Sequence, residues 1–159
     1  MPEDTLVDFA VVAFREDGLW QVGSLPHRAA EHLSSLTAAV RQLPSEGAAL
    51  ALCSYGDDFF LALRHDGLRI RMVVSDAGAA EDWPIAAEAL EQLGETPPDD
   101  DLVVPAGDLD LFADFGMTAL ELTAICSDLE LYPDEMLRAI AFRVGFGPQF
   151  AQAVDDDLV

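Results

Sequence analysis

The segment AALALCSYGDDFFLALRHDGLRIRMVVS, residues 48–75, decides the fold, because it holds three apolar stretches separated by two turns. The stretches 48–55 and 59–65 have the composition of strands, and the polar residues between them predict a turn. Asp66-Gly67 predicts a second tight turn, into residues 68–75, where apolar residues alternate with two arginines that are expected to face solvent. Connections this short join antiparallel neighbours. The segment therefore predicts three antiparallel strands.

The residues before and after this segment extend the same plan. Residues 6–14 and 19–25 predict a hairpin around an Asp-Gly turn. Apolar residues at three- and four-residue steps predict one helix from Arg28 to Leu43 and another from about Ala79 to Leu93. The order ββαβββα predicts an α+β fold with a five-stranded antiparallel sheet covered on one face. The plan resembles profilin-like, longin and roadblock topologies, for which we expect the strand order 2-1-5-4-3.

The C-terminal third of the chain is predicted to be helical. We expect a short helical turn after Asp108, a helix capped by Thr118, a helix that begins at Pro133, and a last short turn near Phe150. These helices are too short to be stable alone and should pack on the sheet. The predicted domain boundaries are a sheet domain (1–94), an acidic Pro- and Asp-rich linker (95–107), a helical C-terminal unit (108–154) and a frayed tail (155–159).

The charge of the chain is strongly negative and unevenly distributed. Thirty carboxylates face eight arginines and no lysine, which gives a net charge of −22. Residues 72–137 carry seventeen acids and no Arg, Lys or His, a net −17. This balance argues against binding a nucleic-acid backbone or an anionic membrane, both of which need cationic side chains. Two interpretations stay open: the charge keeps the protein soluble, or the acidic middle faces a basic partner.

The sequence contains no recognisable catalytic or metal-binding motif. The Asp99–Asp101 and Asp155–Asp157 triplets lack the spacing of a calcium loop, and no C-x-x-C pair suggests zinc. Cys53 and Cys126 lie in apolar segments and are expected to be buried thiols. We therefore predict no cofactor and no metal. The given sequence shows neither a membrane-length apolar run nor a signal peptide. Because two cysteines in apolar segments do not suggest a disulfide framework, we expect a cytoplasmic protein.

Four segments resemble a known family: DFAVVAFREDGLWQV (8–22), RQLPSEGAALAL (41–52), DWPIAAEAL (82–90) and DLELYPDEMLRAIAFRVGFGPQF (128–150). Together they are similar to the actinobacterial tRNA adenosine deaminase-associated proteins, over nearly the whole chain. The resemblance implies a genetic neighbour of the deaminase with no established activity and no defined catalytic residues. A zinc deaminase needs H-x-E followed by P-C-x-x-C, and neither motif occurs in this sequence.

These observations predict a non-enzymatic acidic accessory protein with a basic protein partner, for which the deaminase is the candidate. Two alternatives stay open: a divalent-metal-dependent enzyme with a carboxylate-lined pocket, and a homodimeric scaffold that pairs through an open sheet edge. The residues predicted to contact the partner are acids near the linker and two aromatic anchors: Trp83, Asp99, Asp100, Asp101, Asp108, Asp110 and Tyr132.

Overall fold

A computed structural model describes residues 7–43, 48–67, 69–99 and 102–157. The described residues form an α+β fold, as predicted. Its strands are β1 (Phe9–Glu16), β2 (Leu19–Ser24), β3 (Ala49–Tyr55), β4 (Phe59–Asp66), β5 (Arg69–Val74) and β6 (Ala106–Gly107). Its helices are α1 (Leu33–Arg41), α2 (Pro84–Leu93), α3 (Ala119–Cys126), α4 (Pro133–Val144) and α5 (Gly147–Asp157). Short 3-10 turns cover His27–Ala30, Ala77–Glu81 and Ala113–Phe115.

The strands described form one antiparallel sheet in the order β2-β1-β3-β4-β5-β6. The sheet has six strands rather than the predicted five, because the two-residue β6 carries no sequence signal. The predicted order 2-1-5-4-3 is also wrong, since β3 lies beside β1 and not at an edge. Every residue of β3 is buried, which suits a central strand with a neighbouring strand at each edge and a hydrophobic core on each face. Strand β5, with the exposed Arg69, suits a position nearer the edge.

Helices cover both faces of the sheet. Alternate strand residues such as Val12 and Ala51 pack against α1 and α2 in one core. Residues of opposite parity, such as Val11 and Leu50, pack against α3, α4 and α5 in a second core. The sheet is therefore the middle layer of three, and this explains why its central strands are apolar on both faces. The helices of the described residues are all too short or too polar for a membrane span.

The helix ends follow local capping chemistry more closely than the hydrophobic pattern. Thr118 and Glu121 form a reciprocal capping box at α3, and Pro133 occupies the first turn of α4, as predicted. The two N-terminal helices are shorter than predicted, because each is preceded by a separate 3-10 turn. At the C-terminus α5 runs to Asp157, so residues 155–157 are helical where the sequence predicted a frayed tail.

Among the glycines that the structure describes, Gly107 is expected to be the least tolerant of substitution. Its φ is +111°, and an added Cβ would collide with the backbone oxygen of Met72 on the neighbouring strand. Gly107→Ala should therefore lower the free energy of unfolding by more than about 1 kcal/mol in a urea titration. Gly18→Ala is the matched control, because Gly18 has φ +77° but open space around its Cβ position. Equal losses in the two variants would contradict the steric explanation.

Candidate functional site

One cavity of about 350 Å³ gathers carboxylates from three separate parts of the chain, and we call it the acidic cleft. It lies where the β3–β4 turn, the segment after β5 and the α3–α4 connection meet. Its carboxylates are Asp57, Asp58, Asp76, Asp82 and Asp128. None of the described residues that line it is Arg, Lys or His. The cleft therefore presents negative charge without an internal counter-charge.

Three of these carboxylates are held in place by hydrogen bonds. The indole Nε1 of Trp83 donates to Asp58 Oδ2 at 2.7 Å. Asp76 Oδ1 accepts from the backbone N–H of Gly78 at 3.0 Å and so caps the 3-10 turn that follows β5. Asp128 Oδ1 accepts from the backbone N–H of Glu130 at 3.0 Å. Local turn chemistry thus fixes part of the cleft before any ligand is present.

The carboxylates lie close enough to perturb one another. Burial raises the pKa of Asp76 above its ordinary value, the Gly78 N–H opposes the shift, and the negative charge of Asp58 adds to it. Burial also raises the pKa of Asp8, which lies just before β1. The hydrogen bond from the Ser54 hydroxyl opposes this rise, and the negative charges of Asp57 and Asp134 add to it. A cation bound in the cleft would relieve this repulsion.

The cleft carboxylates do not converge on one point. Among the described residues, no group of three or more His, Cys, Asp or Glu side chains could hold a metal ion. Cys126 lines the cleft but is 1% exposed, and burial raises the pKa of its thiol to about 12. Both cysteines are buried and neither forms a disulfide, as predicted. The negative charge is thus spread along the walls, an arrangement that suits an extended cationic surface.

Apolar side chains accompany the acids at the cleft. Leu129 and Val103 line it and are 80% and 39% exposed. Tyr132 is not part of the lining but lies in the chain between the lining residues Leu131 and Pro133; it is 57% exposed, and its backbone N–H donates to Glu135 Oε1 at 2.9 Å. Exposed apolar groups beside a charged concavity are typical of protein interfaces, where they supply the dehydrated contacts.

The structure separates the residues that the sequence grouped as partner contacts. Trp83 is 4% exposed and packs edge-on against Tyr55 and Phe59, so it is a core residue and offers little surface to a partner. Asp108 accepts a 3.3 Å hydrogen bond from the Met72 N–H, and Asp110 lies 3.9 Å from Arg71. Asp99 is exposed, whereas Asp100 and Asp101 lie outside the described residues.

The sequence reasoning missed the acids that form the cleft. Asp57 and Asp58 fall in a predicted turn and Asp82 in the helix predicted from about Ala79 to Leu93, whereas Asp76 lies between a predicted strand and that helix. The available signal was position: Asp57 and Asp58 precede β4 and Asp76 follows β5, so these three lie at the same end of two antiparallel neighbours. Asp82 and Asp128 come from later segments and had no such signal.

Asp76→Asn is expected to stabilise the protein at neutral pH. Asparagine keeps the acceptor for the Gly78 N–H and removes a half-buried charge that Asp58 repels. Because the folded-state pKa of Asp76 is raised, its protonation favours folding, and this stability is lost as the pH rises through that pKa. At pH 7 the melting temperature should rise by about 1 to 3 °C.

The gain should disappear below the ordinary pKa of 3.8, where the wild-type carboxyl is also neutral. Thermal unfolding at neutral and acidic pH measures both effects. A larger gain in acid than at pH 7 would contradict the assignment.

Comparison with known proteins gives two matches. The family described as Rv3753c-like tRNA adenosine deaminase-associated protein matches residues 8–147. Protein Rv3753c of Mycobacterium tuberculosis is 35% identical over 156 residues, which cover 96% of this chain and 90% of the relative. No solved structure matches the chain.

Proposed function

Because the chain belongs to the Rv3753c-like tRNA adenosine deaminase-associated family, we propose that it is a non-catalytic accessory protein that binds a basic protein partner. The candidate partner is the tRNA adenosine deaminase of the family name. The acidic cleft carries this proposal, because five aspartates line one cavity that has no cationic residue in its described lining.

Electrostatics explains why the partner would be basic. A concave surface of one sign focuses the field and raises the local concentration of the opposite charge, which speeds association. The cleft adds this local effect to a whole-chain charge of −22. Binding would bring cations close to Asp76 and Asp58 and lower the raised pKa of Asp76, so we expect complex formation to release protons near acidic pH.

A tRNA-modifying enzyme is a suitable partner on chemical grounds. A protein that holds tRNA needs Lys and Arg on its surface to neutralise phosphates. The carboxylates of the cleft complement that kind of surface, so the accessory protein and tRNA would compete for it. The exposed Leu129, Val103 and Tyr132 would add apolar burial that a phosphate backbone cannot provide.

The absence of deaminase motifs and the state of the cysteine in the cleft support a non-catalytic role. The sequence has neither H-x-E nor P-C-x-x-C, the motifs with which zinc deaminases bind metal and transfer a proton. The thiol that lines the cleft, Cys126, has a pKa of about 12, far from the range in which a thiolate nucleophile forms at neutral pH.

Size-exclusion chromatography with light scattering tests the proposal. The chain is mixed with the deaminase from the same organism at about 50 mM salt, where charge attraction is little screened. We expect one co-eluting species whose mass is the sum of both components, and its dissociation at high salt. Separate elution of the two proteins at low salt would contradict the proposal.

A further inference from the structure

A second concavity runs along the edge of the sheet, and we call it the β2 groove. It has a volume of about 440 Å³ and lies between β2 and α5. The strand side consists of five consecutive residues, 20–24, and the helix side includes Gln149, Gln152 and Asp156. Consecutive strand residues point to opposite faces of a sheet, so a cavity lined by all five follows the edge of the strand.

The backbone of β2 has hydrogen-bonding capacity toward this groove. Strand β1 is the only neighbour of β2 among the strands described. The Leu25 N–H donates to the Ala10 carbonyl at 2.8 Å, so these two residues form a hydrogen-bonded pair. By the register, every second residue of β2 is also hydrogen-bonded to β1, namely Gly23, Gln21 and Leu19. The N–H and C=O groups of the three intervening residues therefore point away from β1. These residues are Trp20, Val22 and Ser24.

The hairpin turn supports the same assignment of the residues of β2 that are hydrogen-bonded to β1. Asp17 and Gly18 both have positive φ, 56° and 77°, as in a two-residue type I′ turn. Such a turn closes on a hydrogen-bonded pair, here Glu16 and Leu19. The alternation along β2 therefore follows from two independent observations, one at each end of the strand.

The two ends of the groove differ in charge. Helix α5 runs in the same direction as β2, because Phe146, just before α5, packs on Trp20 at 4.8 Å, while Phe150 packs on Phe9 at the other end of the hairpin. Asp156 therefore lies toward the Ser24 end. At the Trp20 end the guanidinium of Arg15 stands 5.5 Å above the indole ring. The lining itself contains a carboxylate and no cationic side chain.

We propose that the β2 groove binds an extended, basic segment of a partner protein as an added antiparallel strand, with a Lys or Arg of the segment beside Asp156. Three outward N–H and three outward C=O groups at strand spacing match an extended peptide backbone. The charge of Asp156 and of the whole chain, −22, selects a cationic segment and disfavours a second copy of this chain. The proposal stands apart from the acidic cleft and from the deaminase.

The probe is an acetylated hexapeptide amide, Lys-Thr-Val-Thr-Val-Thr, added to the full chain at about 1 mM, a concentration that detects weak binding. Amide hydrogen exchange followed by NMR is expected to slow at Trp20, Val22 and Ser24. The matched control is the same peptide N-methylated at the amides that would face β2, which should give no protection. Absence of protection by the unmodified peptide would overturn the proposal.

Variants of the chain test the strand contact and the charge separately. Ser24→Pro removes an outward N–H at an exposed edge position and leaves the β1 ladder intact, whereas Ser24→Ala keeps that N–H. We expect Ser24→Pro and Asp156→Asn each to lower the affinity for the probe peptide about three- to tenfold, and Ser24→Ala to leave that affinity unchanged. Equal affinity in all variants would overturn the proposal. So would protection that rises with protein concentration without probe, together with a dimer mass by light scattering.

Discussion

Arg64→Met is expected to lower the free energy of unfolding by about 2 to 4 kcal/mol, because Arg64 is a buried cation that joins the sheet to the C-terminal part of the chain. The residue is 5% exposed. Its guanidinium donates to Asp66 at 2.6 Å, to the Leu111 carbonyl at 2.6 Å and to both oxygens of Asp114 at 2.7 Å. It also lies over the ring of Phe115 at 4.7 Å. Methionine keeps the apolar stem but leaves these acceptors without their donor.

Urea unfolding of Arg64→Met measures the loss, with Arg69→Met, at an exposed position in β5, as the control that should change stability by less than about 0.5 kcal/mol. The ion pair lowers the pKa of Asp114, so its contribution is present above the ordinary pKa of 3.8 and is lost as the pH falls through the lowered value. The gap between wild type and Arg64→Met should therefore narrow in acid. Equal effects of the two substitutions would contradict the role of Arg64.

Charge reversal in the acidic cleft is expected to weaken binding of the deaminase about 10- to 100-fold at low salt. The double variant Asp57→Lys/Asp82→Lys changes two exposed acids that line the cleft from separate segments of the chain. Each substitution replaces attraction with repulsion for a basic partner. The loss should appear first in the association rate, because long-range charge steers the encounter, and biolayer interferometry would record it.

The matched control is Glu16→Lys/Glu91→Lys. These exposed acids lie away from the cleft, and the double variant makes the same change in net charge, from −22 to −18. It should weaken binding by less than about threefold, the share due to overall charge. Equal losses in the two double variants would show that binding depends on net charge alone, and the cleft would have no specific role.

The local structure could be read from the sequence more readily than the strand order. Apolar stretches and Asp-Gly turns gave the hairpins, and Thr118 and Pro133 marked helix starts. The order of the strands depends on which strand is central and which lies nearer the edge. The sequence contains a signal for this, because β3 has no charged residue and β5 has two arginines. The expected order was taken from an analogy to other folds instead.

The candidate site was less predictable, because long-range pairing creates it. Runs of acids such as Asp99–Asp101 stand out in a sequence, whereas the cleft collects one or two acids from each of three distant segments. An aromatic residue next to a proline looks the same whether it is a core residue or a surface anchor. Only the packing of Trp83 against Tyr55 and Phe59 shows which it is.

The most direct test of the central claim is the salt dependence of the affinity between this chain and the tRNA adenosine deaminase, measured by isothermal titration calorimetry. Between about 50 mM and 200 mM salt, an interface built on the acidic cleft should lose at least about tenfold in affinity. Affinity that does not change with salt, or no binding at the lowest salt, would contradict the account.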